Sequence, residues 1–225
     1  MKIVRIIITF IQVALLASSL LAQNVNIGLR TGVTHYTISN ELTSDDANYM
    51  TGLLFAVPIE FKISKGFSIQ PELQYIQKGV SFDLQDDDDR EVKFTGRSNY
   101  LELPVLFKGN LVKQNFGLHI YAGPAIGYGL NQKGILTPAS GDKVKEKIEW
   151  IDEGAVQDQR WDFSATGGIG ASFNAGVGTI VVDARYSYDF NDNTKFETNE
   201  PTDWEESKNH GFNLSVGYMI PLGAR

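Results

Sequence analysis

The sequence predicts an all-β protein: an eight-stranded antiparallel up-and-down transmembrane β-barrel behind a cleaved signal peptide. Three observations predict it. Large apolar residues recur at every second position along most of the chain, a secretory signal precedes them, and the connections are by turns short and long. Alternation carries the argument because successive strand side chains point to opposite faces. The run from Gly211 to Leu222 shows it most cleanly: Phe212, Leu214, Val216, Tyr218, Ile220 and Leu222 share one face, and Asn213, Ser215 and Gly217 share the other.

The first element is the signal. Lys2 and Arg5 precede an apolar run from Ile6 to Leu16, then the small residues Ala17-Ser18-Ser19 and Leu21-Ala22. These are the charged, apolar and cleavage regions of a secretory leader. Cleavage is expected after Ala22, with Ser19 as the alternative, so residues 1–22 form the signal peptide and 23–225 one barrel domain. As an uncleaved anchor the run falls short of the ~20 apolar residues a spanning helix needs, and Gln12 interrupts it. No later segment is long and apolar enough for a membrane helix, so a mature chain in a membrane must sit there as a barrel.

Eight segments follow, each expected near the ~9–11 residues of a tilted membrane strand. The first sets Val25, Ile27, Leu29 and Val33 against Asn26, Gly28, Arg30, Gly32 and Thr34. The second sets Leu53, Phe55, Val57, Ile59, Phe61 and Ile63 against Ala56, Pro58, Glu60 and Lys62. In the third, Phe67, Ile69, Leu73 and Tyr75 oppose Ser68, Gln70, Glu72 and Gln74. In the fourth, Leu101, Leu103, Val105 and Phe107 oppose Tyr100, Glu102, Pro104 and Lys108.

The fifth places Leu118, Ile120, Ala122, Ile126 and Tyr128 away from His119, Tyr121, Gly123, Gly127 and Gly129. The sixth places Trp161, Phe163, Ala165, Ile169 and Phe173 away from Asp162, Ser164, Thr166, Gly168, Gly170 and Ser172. The seventh has Ile180, Val182, Ala184, Tyr186 and Tyr188 against Asp183, Arg185, Ser187 and Asp189, and the run 211–222 is the eighth. No helix-period stripe competes with them.

Short connections are expected at 64–66, 109–115 and 174–178, and long polar ones at 39–50, 83–98, 131–158 and 191–209. Membrane barrels have short periplasmic turns and long outer loops, and an even strand number with a periplasmic N-terminus reproduces that alternation.

Alternation alone does not say which face points inward. A soluble lipocalin-like ligand carrier also has eight antiparallel strands, with the apolar face inside. Against it, the polar face mixes glycines and small residues with long charged ones, which suits a narrow polar lumen. Aromatics (Phe67, Phe107, Phe116, Trp161, Phe173, Tyr188, Phe190) fall near strand ends, as interfacial girdles do. The chain also has no cysteine, so it has neither the paired cysteines common in secreted binders nor a site for a lipid-modified N-terminus.

Several strings resemble the PorT-like outer-membrane β-barrel family of Bacteroidetes-type Gram-negative bacteria. They are Gly28-Leu29-Arg30-Thr31-Gly32; Ser68-Ile69-Gln70-Pro71-Glu72-Leu73-Gln74-Tyr75 followed by Gln77-Lys78-Gly79; Tyr100-Leu101-Glu102-Leu103-Pro104-Val105-Leu106; Ala122-Gly123-Pro124 with Gly127-Tyr128; and Ala184-Arg185-Tyr186. The resemblance implies an outer-membrane location and a non-enzymatic role, with a link to protein secretion through the family's namesake. One departure is the ending Leu222-Gly223-Ala224-Arg225, where many such barrels end on an aromatic residue.

An eight-stranded barrel has an interior just wide enough for side chains to fill it. Inward charges must then pair, because an isolated buried ion costs several kcal/mol. The expected interior cluster is Arg30, Lys62, Lys108 and Arg185 against Glu60, Glu72, Glu102 and Asp183. It reads either as a static salt-bridge core or as a plug whose charges re-pair to open a pore. The acidic run 86–89, with Asp83 and Glu91, lacks EF-hand spacing and reads as a solvated loop, with a looser role in bridging divalent ions to lipopolysaccharide phosphates.

Catalysis has little to stand on. His35, His119 and His210 are the only histidines, and no spacing joins them to a nucleophile. There is no nucleophile elbow, phosphate-binding glycine loop or HExxH pattern, so no catalytic residue, metal or cofactor is expected. Removing Lys2 and Arg5 with the leader takes the formal net charge from −7 to −9, which disfavours nucleic acid. The expected function is an envelope-structural, surface-interaction or secretion-accessory barrel, with a small passive or gated pore as the alternative and the soluble carrier as the second. Expected partners are outer-membrane lipid, lipopolysaccharide and the barrel-insertion machinery.

Overall fold

The computed structural model describes residues 25–39, 47–85, 90–113, 116–138, 142–151, 153–154, 156–196 and 206–222. The signal peptide expected over 1–22 and the acidic run 86–89 lie outside them. The described residues form eleven strands: β1 (Val25–Ser39), β2 (Ala47–Lys62), β3 (Phe67–Gln85), β4 (Glu91–Lys113), β5 (Phe116–Pro138), β6 (Val144–Ile148), β7 (Val156–Asp158), β8 (Trp161–Ala175), β9 (Gly178–Asp189), β10 (Thr194–Phe196) and β11 (Lys208–Pro221).

Eight of these close a ring in the order β1-β2-β3-β4-β5-β8-β9-β11, every neighbour antiparallel, with β11 returning to β1 through pairs such as Leu29↔Tyr218 and Val33↔Leu214. Closure satisfies the backbone donors and acceptors without an edge, the condition for crossing a lipid bilayer with strands. The faces divide as the alternation requires. Leu29 is 71% exposed, Ile120 65% and Ile169 63%, whereas Arg30, Glu72 and Arg185 inside are at most 4% exposed. A soluble carrier would have these faces reversed, so the lipocalin-like alternative is overturned.

Aromatic rings gather at both ends of the apolar band. Phe116 and Phe173 pack at 5.2 Å beside the short turns, and Tyr128–Trp161 (5.0 Å) and Tyr186–Phe212 (4.9 Å) pack toward the long loops. The apolar face therefore meets lipid. Ile169→Arg is expected to cost ~2–4 kcal/mol, as a mid-bilayer arginine does, while Ile169→Ala costs far less; urea unfolding in lipid vesicles checks the difference.

The ring strands are longer than the sequence suggests, running from 12 residues in β9 to 23 in β4 and β5. The stretch 83–98, expected as a loop, is mostly hairpin: β3 and β4 stay in register from Phe67↔Gly109 to Gln85↔Glu91. The stretch 131–158 likewise holds the end of β5, all of β6 paired along it, and β7, which pairs with β10. Residues 109–113, expected within a turn, also continue the ladder to Lys113↔Phe116. The reason is common to all: polar composition does not end a strand whose backbone still has a neighbour to bond. The result is a sheet of β3 to β6 that projects past the ring on the long-loop side.

Candidate functional site in the charged lumen

Among the described residues the buried charges are four cations (Arg30, Lys78, Lys108, Arg185) and six carboxylates (Glu60, Glu72, Glu102, Asp162, Asp183, Asp189), with His119 beside them. All lie on the inward face, in three layers along the axis.

Nearest the short turns, Glu60 accepts from Ser68 Oγ (2.8 Å) and Asn26 Nδ2 (3.0 Å), and Lys108 Nζ lies 3.3 Å away. Lys108 also donates to Gln70 Oε1 at 3.1 Å.

The middle layer is built on Glu72. Its carboxylate takes a two-pronged grip from Arg185 (Nη1 and Nη2, both 2.8 Å), a bond from Arg30 Nη2 (2.6 Å) and one from Gln70 Nε2 (2.7 Å). Such forked guanidinium–carboxylate pairs combine charge with fixed geometry. Arg30 also donates to Ser215 Oγ and Gln74 Oε1, and Arg185 to Asp183 Oδ2 and Tyr121 Oη. Asp183 Oδ1 lies 2.8 Å from His119 Nε2. Glu72 on β3 thus ties β1 and β9 together across the lumen.

Toward the outer end, Lys78 is fully buried among three carboxylates. Its Nζ is 2.6 Å from Glu102 and 2.9 Å from Asp189, and it also bonds Asp162. The rings of Tyr36 and Tyr100 lie 5.6 and 5.4 Å from the ammonium. Gln74 Nε2 bonds Glu102 Oε2 at 2.6 Å and so links this layer to the middle one. Beside this layer lies an apolar cluster of Tyr36, Leu54, Ala56, Ile76 and Tyr100, and against it packs Trp150, whose ring lies 5.2 Å from the Arg160 guanidinium.

Two glycines allow the ions to meet. In register, Gly127 lies between Glu102 and Asp162, and Gly170 between His119 and Asp183. A Cβ on Gly127 would come within 2.8 Å of Glu102 Cγ, and one on Gly170 within 2.2 Å of His119 Nε2. Gly170→Ala is therefore expected to push His119 from Asp183 and destabilise the barrel by ~1–3 kcal/mol, the usual cost of overpacking; heat-modifiable gel migration and urea unfolding read it.

Seven of the eight residues expected in the lumen cluster lie there: Arg30, Glu60, Glu72, Glu102, Lys108, Asp183 and Arg185. Lys62 does not. It is the last residue of β2, exposed beside the short turn, where a long flexible stem carries its charge into water at little cost. The sequence-based cluster leaves out Lys78, together with its partners Asp162 and Asp189. A signal for Lys78 exists: extending Ser68, Gln70, Glu72 and Gln74 by two more alternate positions arrives at Ile76 and Lys78. Asp162 and Asp189 stand on the expected faces, but nothing in one strand says that they share a cation.

The histidines are scattered. His119 is held by Asp183; His35 lies outside, stacked on Tyr49 at 4.6 Å; His210 packs near Tyr186 and Tyr188. No group of three His, Cys, Asp or Glu among the described residues is placed to hold a metal ion.

Residues 21–195 match the model of the family described as "Outer membrane protein beta-barrel domain". Curated proteins give no match. Among solved structures, a major outer membrane protein from Thermus thermophilus is similar at 13% identity and TM-score 0.47, over 87% of this chain and 99% of that one. Ail, the attachment invasion locus protein of Yersinia pestis, is similar at 12% identity and TM-score 0.42, over 88% and 99%. The outer membrane protease OmpT of Escherichia coli is similar at 10% identity and TM-score 0.38, over 88% and 97%.

Proposed function

The chain belongs to the outer membrane protein beta-barrel domain family, and on that premise we propose that it works as a closed, non-conducting and non-enzymatic barrel with an envelope-structural, surface-interaction or secretion-accessory role. Its place is the cell outer membrane. The observation that carries the closed reading is the continuity of the lumen network. Glu60–Lys108, Glu72–Arg30–Arg185–Asp183 and Lys78–Glu102–Asp162–Asp189 follow one another through Gln70 and Gln74, and Trp150 packs against the apolar cluster beside the last of them. Each buried ion has a counter-ion, so opening a water path means breaking several pairs at once.

A static brace of this kind frees the outer loops to carry the biological role, because a rigid barrel positions loops without taking part in recognition. The non-enzymatic reading is supported by the structural contacts of all three histidines, none of which, among the described residues, is bonded to a hydroxyl placed as a nucleophile; the hydroxyl facing His35, Thr51, is exposed on the outer surface. The finer assignment to the PorT-like branch rests on the strings around Gln70–Tyr75 and Tyr100–Leu106. It brings with it the secretion-accessory role, while the outer-membrane location makes lipopolysaccharide a neighbour and the insertion machinery a transient partner.

One observation favours the pore alternative. Three carboxylates converge on one lysine, a surplus of anions that would favour cations if the lysine moved aside. Single-channel recording of the purified protein in a planar bilayer separates the readings. No ion flux is expected at either polarity; steady cation-selective steps would overturn the closed barrel.

A further inference from the structure

The projecting sheet carries a row of cations that the lumen does not explain. Arg97 on β4 stands directly opposite Lys133 on β5, and Lys133 directly opposite Lys147 on β6. Residues in register on adjacent strands share a face, and like charges so placed repel and destabilise the sheet. One pair further out, Lys145 stands opposite Ile135 and adds a fourth charge to the same face. The chain is acidic as a whole, with a formal net charge of −7, so chance does not favour this grouping.

The row faces away from the barrel axis. The β4–β5 ladder shifts register between Tyr100 and Asn99, both of them buried, and beyond that shift Asn99 Nδ2 donates to Asn131 Oδ1 at 2.5 Å while Lys133 and Lys147 are exposed. Arg97 reaches over Gly79 to the Thr51 carbonyl at 3.3 Å, beside the outward His35 stacked on Tyr49. The row therefore continues the outer aromatic level around the barrel, at the boundary between apolar band and headgroups. Among the described residues, no carboxylate is paired with Arg97, Lys133 or Lys145. Lys147 has Glu149 at 2.5 Å, but both side chains are well exposed, where such a pair contributes little.

Outward cations in hydrocarbon are costly. At the headgroup level they are stable when anions face them. Resting on the outer-membrane reading above, with lipopolysaccharide as a neighbour, we propose that Arg97, Lys133 and Lys147 form a docking row for the phosphate groups of a phosphorylated glycolipid in the outer leaflet. Three cations spaced one strand apart, about 4.8 Å each, span a diffuse multivalent anion better than a single small one. The row fixes the tilt and rotation of the barrel in the leaflet, and it orients β6 and the loop bearing Trp150.

The full mature chain, folded in detergent micelles, tests this by native mass spectrometry with three probes: lipid A carrying both phosphates, the same lipid dephosphorylated, and inorganic phosphate. The intact protein is expected to retain the phosphorylated lipid, and the triple variant R97Q/K133Q/K147Q to bind it about a hundredfold more weakly, roughly fivefold per cation. Lys62→Gln with Lys65→Gln, at the opposite end, should leave binding unchanged. Heat-modifiable migration confirms that each variant is folded; should the triple variant fail to fold, Lys133→Gln alone should show the fivefold loss. Equal retention of the dephosphorylated lipid, equal binding by the variants, or saturation by inorganic phosphate at the same concentration would each overturn the proposal.

Discussion

Lys78→Met should lower the unfolding free energy by ~3–5 kcal/mol, the usual cost of removing one partner from a buried ion cluster. Methionine fills nearly the same volume, so the loss is electrostatic. Glu102, Asp162 and Asp189 would be left facing one another in a site that Tyr36 and Tyr100 close off from water. The sign of the pH response follows. Acid neutralises the stranded carboxylates, so lowering the pH should recover part of the variant's deficit, while the parent gains nothing comparable. Urea unfolding in vesicles at two pH values measures both effects. In bilayer recordings the variant should remain silent, because the Glu72 layer still closes the lumen beneath. A deficit that stays constant with pH would mean that Lys78 acts through packing and not through charge.

Glu72→Gln should cost a similar ~3–5 kcal/mol. Among the described residues, Glu72 is the only carboxylate bonded to Arg30 and the two-pronged partner of Arg185, and both guanidinium groups are buried. Glutamine keeps one acceptor and loses the charge, leaving Asp183 to balance two arginines. A second substitution, Arg30→Gln, removes the stranded cation. The double variant should then be less destabilised than the sum of the two singles by ~0.5–3 kcal/mol, the range for residues in direct contact. Strict additivity would show that the layer is not one network. Glu102→Gln gives a useful contrast: Lys78 keeps Asp162 and Asp189, so the loss should be much smaller than at either Lys78 or Glu72.

The faces of the strands and the number that close the ring could be read directly from the chain, although β6, β7 and β10 could not. Phe212 to Leu222 alternates so regularly that only a one-residue slip could reverse it, and such a slip would put every lipid-facing side chain in the lumen. The apolar outer surface, the polar interior and the ring of eight follow from that local period. Their inward positions also placed Arg30, Glu60, Glu72, Glu102, Lys108, Asp183 and Arg185 in the lumen. Lys62 broke the rule because alternation gives direction but not depth, and at a strand end direction no longer means burial.

What the tertiary structure decided is who meets whom. Lys78 collects carboxylates from β4, β8 and β9, residues 24 to 111 positions away in the chain. That meeting depends on the stagger between strands, which no single strand encodes. The same holds for Arg97, Lys133 and Lys147, whose alignment exists only because the hairpins keep their hydrogen bonds beyond the apolar band. Side-chain direction is a local property of a strand and is written in its sequence. Register, depth and closure are collective properties of eight strands, fixed only when all their backbone groups are paired at once.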